Sequence, residues 1–215
     1  MLKKEFQLNL CLINMSSNIK SVYRILEKDR LHQGDILSNF EFPTINTLDD
    51  EENIEFTSIP HGVILSQDCD LDGAHMLHSK IQETRKFDKN NPINGNKFLP
   101  SIIIAPAFYA EEVNTGKYLL EMGFEMEPKG SLKKSNWKNI ENNNNPRYHY
   151  LSDINKFLPN LVIDFKIFYT LPYDYLYLNF DKYYTCSLNE LVRENLSQRF
   201  FNYHARIGLP IFEKI

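Results

Sequence analysis

The chain has 215 residues, enough for one sizeable domain, and its 42% hydrophobic and 24% charged content is that of a globular protein. A net charge of −4 and a pI near 5.9 exclude the overall basic coat that phosphate-backbone binding draws on, and eight glycines argue against glycine-rich phosphate loops. Three widely spaced cysteines, Cys11, Cys69 and Cys186, exclude a disulfide scaffold and fit a reducing cytosol.

Taken in order, residues 1–30 read as a lead-in. Leu8 to Met15 is apolar but interrupted by Asn9 and Asn14. It is too short to cross a bilayer, and no small-residue cleavage site follows. The expectation is a cytoplasmic protein with no membrane partner, whose start is Met1 or Met15. Ser21 to Leu31 reads as a short helix or an extended lead. Gln33-Gly34-Asp35-Ile36-Leu37 is a turn running into a strand, continued in alternation by Phe40, Phe42 and Pro43. Asp49, Asp50, Glu51, Glu52 and Glu55 make residues 46–58 acidic, the pattern of a solvated loop. Gly62 to Leu65 is the central strand, and the polar run Ser66-Gln67-Asp68-Cys69-Asp70 stands where it must end.

Residues 68–97 are polar, with a helix expected around Ala74 to Lys86. Ser101-Ile102-Ile103-Ile104-Ala105-Pro106 is a strand whose β-branched run suits burial on both faces. Phe108 to Met122 carries helix formers. Residues 125–146 read as a flexible insertion, with Lys129, Lys133, Lys134 and Lys138 around Trp137 and a surface run from Asn142 to Asn145. Arg147 to Leu151 and Leu161 to Phe165 are further strands, and Phe168, Tyr169 and Leu171 lead to Pro172. The Phe and Tyr residues from 165 to 184 read as core. Ser187 and Glu190 form a capping box for a last helix over 187–208. Leu191, Val192, Leu196, Phe200 and Tyr203 recur at helical spacing along it, and Gly208 and Pro210 end it. The whole reads as one domain over 1–215, with its core in 31–124, the insertion in 125–146, further strands in 147–186 and the terminal helix.

The sharpest chemistry is at Gln67, Asp68, Cys69 and Asp70. A thiol beside carboxylates is a poor nucleophile, because negative neighbours disfavour the thiolate. It needs a His or Arg from elsewhere, and alternation along one strand puts Arg147 and His149 on a common face. A Cys69–His149 pair oriented by Asp70, with Arg147 beside it, would be a nucleophilic centre. The structural alternative is that Asp68 and Asp70 cap a turn and Cys69 is a small filler. Gln67, Asp68 and Arg199 are the candidate binding residues, though Arg199 equally suits an ion pair with its stem beside Phe200. Arg193 and Arg206 could contact phosphates in the same way. A zinc set from Cys69, Asp70, His61, His75 and His78 has irregular spacing and a single Cys, so no metal and no cofactor is expected. The lysines around Trp137 could hold single-stranded nucleic acid, or be a solvated loop.

Gln33-Gly34-Asp35-Ile36, Gly62-Val63-Ile64-Leu65-Ser66 and Ile102-Ile103-Ile104-Ala105-Pro106 together resemble the strand signature of MazF/PemK/Kid-type toxins, over roughly residues 32–110. The resemblance implies a mainly β (α+β) fold: an SH3-like small β-barrel with inserted loops and a C-terminal α-helix. It also implies a dimer, as such barrels commonly are. The toxins' catalytic arginine would fall on Pro60 and their catalytic threonine on Phe108, so their ribonuclease mechanism does not follow. Asn195-Leu196-Ser197-Gln198-Arg199-Phe200, with the Ser66 to Asp70 segment, resembles an uncharacterised group of bacterial proteins.

Two functions are therefore expected from the sequence. One is a nucleic-acid- or nucleotide-acting component of a bacterial toxin–antitoxin or phage-defence system, centred on Cys69, Asp70, Arg147 and His149. The other is a non-catalytic accessory module working through a protein partner or a second copy.

Overall fold

The computed structural model describes residues 21–48, 51–84, 95–126, 130–152 and 157–205, with the backbone alone at 42–48, 51–55 and 82–84. The expectations placed on Cys11, on the two candidate starts, and on Arg206, Gly208 and Pro210 lie outside the described residues. In chain order the strands are β1 Tyr23–Arg24, β2 Asp35–Leu48, β3 Glu51–Ile64, β4 Ser101–Tyr109, β5 Tyr148–Leu151, β6 Leu161–Asp164, β7 Tyr169–Pro172 and β8 Tyr184–Leu188. The helices are α1 Asp68–Thr84, α2 Ala110–Thr115, α3 Lys117–Leu120, α4 Lys134–Glu141, α5 Tyr173–Tyr183 and α6 Glu190–His204.

The fold is α+β. Every strand pairing is antiparallel, in the order β1-β8-β2-β3-β4-β6-β5, with β7 also on β4. The sheet does not close into a barrel: β1 and β5 are its two ends. β4 organises it. Its centre pairs with β3, Ile104 opposite Ile64, while its two halves pair with β7 and β6. β6 and β7 behave as one strand broken between Asp164 and Tyr169, and the break turns Phe165 into the core.

Alternation in these strands feeds two cores. Leu37, Ile64, Ile102 and Ile104 pack under α1 and α5, against Leu71, Ala74, Leu176 and Phe180. Ile36, Val63, Ala105 and Ile163 pack on the other face under Leu196 and Phe200 of α6. Burial on both faces explains the continuous apolar run of β4. Each buried Leu, Ile, Val or Phe among them contributes about 1.5–3 kcal/mol. A third cluster joins Phe108 and Val162 to Tyr118 of α3 and Ile140 of α4.

Several expectations change here. In the acidic stretch 46–58, residues 46–48 and 51–58 are strand: β2 and β3 pair continuously from Phe40↔Ile59 out to Leu48↔Glu51, and the expectation placed on Asp49 and Asp50 lies outside the described residues. One break in that ladder falls at Pro60, which has no N–H to donate; Asn39 opposite it takes a left-handed φ of 50°. Within the insertion expected over 125–146, Lys134–Glu141 forms the helix α4. Ser187 does not cap the last helix. It belongs to β8, and Asn189 is the cap, its Oδ1 accepting from Leu191 N at 3.3 Å. No helix among the described residues is long and apolar enough to cross a membrane.

Candidate functional site

The three motifs that stand out in the sequence meet in space. The chain enters β2 through Gly34, whose φ of +85° suits glycine and whose missing side chain leaves room for the Arg193 stem of α6, 3.0 Å from where a Cβ would be. Gln33 before it is the junction. Its N–H donates to Asp68 Oδ1 at 3.1 Å, and its Nε2 donates to Leu65 O at 2.9 Å and Ser197 Oγ at 3.1 Å. One side chain thus ties the β2 entry, the β3 exit and α6 together. Ser66 completes the joint by accepting from Ile103 N at 2.8 Å.

Around Gln33 the charges are paired. Arg30 donates to Asp68 at 3.0 Å and reaches Asp72 at 3.5 Å, while His32 lies between Asp29 and Asp68. Burial works against the Arg30 charge, but the hydrogen bond and charge of Asp68 outweigh it and its pKa is raised. Asp68 mirrors this: burial pushes it up, and the bonds from Arg30 and Gln33 carry it below the usual carboxylate range. His32 is lowered by burial and then by the Arg30 charge. Beneath them Asp35 is fully buried, accepting from His32 N at 2.7 Å and Ser187 Oγ at 2.6 Å, and burial raises its pKa to about 7. These donors and acceptors satisfy one another, so the cluster holds a joint rather than presenting a reactive group.

Asp68 and Asp70 occupy the first turn of α1, where a carboxylate favours the helix dipole. Gln67, Cys69 and Asp70 are exposed. The Cys69 Sγ contacts only its neighbours, Gln67 Oε1 at 3.6 Å and Asp70 Oδ1 at 3.9 Å. It opens into a cleft of about 590 Å³ whose cation is Lys97, lying across Gly73. His149 lines a different cleft, between β5 and α6.

The expected pairing of Arg147 and His149 on one face does not form, because β5 begins only at Tyr148. Arg147 turns to the Tyr148 side, its guanidinium 4.8 Å over that ring, and grips Asp164 with two hydrogen bonds, one from Nε at 2.8 Å and one from Nη2. Tyr118 Oη donates to the same carboxylate at 3.0 Å. Burial opposes the Arg147 charge, but Asp164 more than compensates and its pKa is raised. His149 points to the other side, beside Phe165, with Nδ1 unpaired. Burial, then the nearby Arg199 charge, lowers its pKa to about 3, so the ring is neutral. Arg199 pairs with no acid among the described residues: it donates to the carbonyls of Asn143, Asn145 and Tyr148 at 2.5, 2.9 and 2.7 Å.

The other candidates also resolve. His61 bonds Ser38 Oγ at 2.9 Å, while His75 and His78 share a face of α1 toward Tyr177. Among the described residues no group of three or more His, Cys, Asp or Glu side chains is gathered for a metal. Trp137 is half-buried against the third core cluster and donates to Glu141 at 2.8 Å. Pro60 and Phe108 line one small cleft of about 100 Å³, with Glu112, Glu121 and Met122 at its other walls.

A carboxylate inside the apolar run Leu161-Val162-Ile163-Asp164-Phe165 is the sequence signal for this site: once buried it needs a counter-ion or a proton, and Arg147 is the counter-ion. Arg30 and His32 carried no comparable signal. No family model matches the chain, nor does any curated protein or solved structure.

Proposed function

We propose that the chain is a non-catalytic binding module, an accessory component of a bacterial toxin–antitoxin or phage-defence system working in the cytoplasm. One observation carries this reading: the groups that would make a nucleophilic centre are dispersed or already engaged. Arg147 is consumed by Asp164, and Cys69 and His149 open into separate clefts. A thiol next to Asp70, with no imidazole at hand, has nothing to take its proton.

The kinship we infer is with MazF/PemK/Kid-type SH3-like strand arrangements, held in an open sheet. Pro60 and Phe108 would stand at the reactive positions, and neither side chain can move a proton or bind a phosphate. Exposed apolar side chains on α6, Leu191 and Phe201, offer contact to a protein partner or a second copy. The test is expression of the wild type and Cys69→Ala in bacteria, with growth and RNA integrity as readouts. Equal growth and intact RNA are expected from both. RNA cleavage by the wild type that Cys69→Ala abolishes would overturn the reading in favour of an enzyme acting on nucleic acid.

A further inference from the structure

The two ends of the sheet offer little to a further strand. β1 is only Tyr23–Arg24. At β5 the outward backbone groups are taken: Tyr150 N and O pair with the Asn143 side chain at 2.7 and 3.0 Å, and Tyr148 O accepts from Arg199 at 2.7 Å. The open edges lie on the hairpin. β8 pairs β2 only over Asp35–Leu37, and β4 pairs β3 only over Gly62–Ile64. Beyond Phe40↔Ile59 the two strands run on with each other alone, from Glu41↔Ser58 to Leu48↔Glu51. That arm is about 25 Å long at ~3.4 Å per residue, and among the described residues no third strand joins it. A two-stranded ribbon is marginal in water by itself.

Two markers tell which backbone groups of β2 point outward. Pro43 has no N–H, yet it stands opposite Phe56 in an unbroken part of the ladder, so it occupies a position facing away from β3. Glu41, two residues earlier, accepts from Tyr175 Oη of α5 at 3.1 Å, which also fixes the root of the arm. Alternation gives Ile45 and Thr47 the same outward direction. Their ladder partners on β3, Ile54 and Glu52, point outward on the opposite edge.

The two edges differ in charge. From Phe42 to Leu48, β2 has no ionisable side chain, and Thr44, Ile45 and Thr47 are strand formers. The facing stretch of β3 carries Glu51, Glu52 and Glu55. A seam between two β3 edges would set these carboxylates beside one another, and like charges oppose such pairing. A seam between two β2 edges keeps the β3 strands outermost. They then stand about 14 Å apart, three strand spacings, beyond the screening length of about 8 Å at physiological salt.

The β2 edge is also complementary to itself. Ile45 is the middle of the outward set, and a two-fold axis there brings each Ile45 N–H to the other copy's Ile45 O. Each Thr47 N–H meets the other copy's Pro43 O, so the missing proline N–H leaves only Thr47 O without a donor. The register already sets Ile45 opposite Ile54, so the joined sheet carries four isoleucines in a row across one face. Phe56, 64% exposed, belongs to the neighbouring row.

We propose that the β2 edge of this arm pairs antiparallel with the same edge of a second copy, joining two hairpins into a four-stranded sheet. This rests on the binding-module reading and names its partner.

The test is sedimentation velocity of the full chain over a range of concentrations, with Ile45→Pro and Glu52→Pro beside the wild type. A reversible dimer is expected. Ile45→Pro removes an N–H used only across the seam and spares the arm's own ladder, as Pro43 does. It should weaken association about tenfold or more, the loss of one good hydrogen bond. Glu52→Pro, at an outward position of the other edge, should leave association unchanged. In the wild type, the Ile45 and Thr47 amides should exchange more slowly at concentrations where the dimer is populated. That readout needs no variant and decides alone if Ile45→Pro does not fold. A monomer at every concentration, a dimer indifferent to Ile45→Pro, or an equal loss in Glu52→Pro overturns the proposal. RNA integrity measured with the same preparations separates the two readings: cleavage sinks the binding module, whereas intact RNA with a monomeric wild type sinks only the arm pairing.

Discussion

Two carboxylates among the described residues are completely buried, Asp164 near one end of the sheet and Asp35 toward the other, and they are held in opposite ways. Asp164 has a cation: Arg147 grips both its oxygens, Tyr118 adds a hydroxyl, and Lys166 N donates at 3.1 Å. Asp35 touches only neutral donors, the His32 N–H and the Ser187 hydroxyl, and burial lifts its pKa to about 7. Buried charge is tolerated where a counter-ion is built in, and given up to a proton where it is not. The same rule removes Arg147 from chemistry, since leaving Asp164 would strand a carboxylate in the core.

The comparison breaks most severely at Arg147. Arg147→Ala leaves Asp164 buried with a hydroxyl and a backbone N–H only, and removing one member of a buried pair costs about 3–5 kcal/mol. Because Asp164 is wholly inaccessible, a loss of about 5 kcal/mol is expected by denaturant unfolding. A double substitution of Arg147 and Asp164 to apolar residues should recover much of it. Equal losses in the single and double variants would contradict the account.

Asp35 gives the next effect, visible as pH dependence. Its folded pKa lies above the ordinary carboxylate value of 3.8, so the folded state holds the proton more tightly than the unfolded one. Its contribution is therefore fully present below about pH 4, falls as pH rises, and is gone above about pH 7. The interval from 3.8 to about 7 corresponds to on the order of 4 kcal/mol. Asp35→Asn mimics the protonated form: its amide can donate to Ser187 Oγ, which can turn its own proton toward Tyr184 Oη, 3.0 Å away. The variant should lose stability less steeply than the wild type between pH 4 and 7. Identical slopes would show that Asp35 is not the group responsible.

How much of this was legible follows from the range of each interaction. Strands β3, β4 and β6 announce themselves through local apolar runs, and α6 through Leu196 and Phe200. The helix α5 was equally local, with Tyr173, Leu176, Phe180 and Tyr183 at helical spacing, but Pro172 reads as a terminator when it is in fact the residue before the first turn. The hairpin at 46–58 was hidden because acidic composition signals solvent, and strands paired to each other can be solvated. At the candidate site, the resemblance of Gln33 to Asp35 and of Ser66 to Asp70 to one joint was within reach. The partners of Cys69, Arg147 and His149 were not, because they depend on the order β3-β4-β6-β5, which no local pattern encodes.

Arg199 sharpens the comparison with a cation that meets no acid among the described residues. Its charge is spread over three backbone carbonyls, and burial lowers its pKa. Those bonds anchor the turn after α4 to the open edge of β5, an edge that would otherwise invite strand addition. Arg199→Met keeps the stem beside the core and removes the donors. A loss of about 2 kcal/mol is expected, less than at Arg147 because carbonyls freed near the surface can take water. Faster amide exchange at Tyr148 and Tyr150 should accompany it. An unchanged exchange rate there would mean that Asn143 alone secures the edge.

The smallest effect belongs to Cys69, the residue that looks most reactive in sequence. Its thiol is exposed, its two contacts are long, and both come from residues within two positions in the chain. Cys69→Ser changes a group that no distant element relies on, so stability should move by less than about 0.5 kcal/mol. The consequential measurement is labelling. An exposed thiol beside Asp70, with Lys97 across the same cleft, should react with iodoacetamide at the rate of an ordinary exposed cysteine, because no imidazole stands ready to take its proton. A rate enhanced by orders of magnitude near pH 7 would reveal a thiolate, and would place Cys69 beside Arg147 and Asp35 as a third way of holding charge.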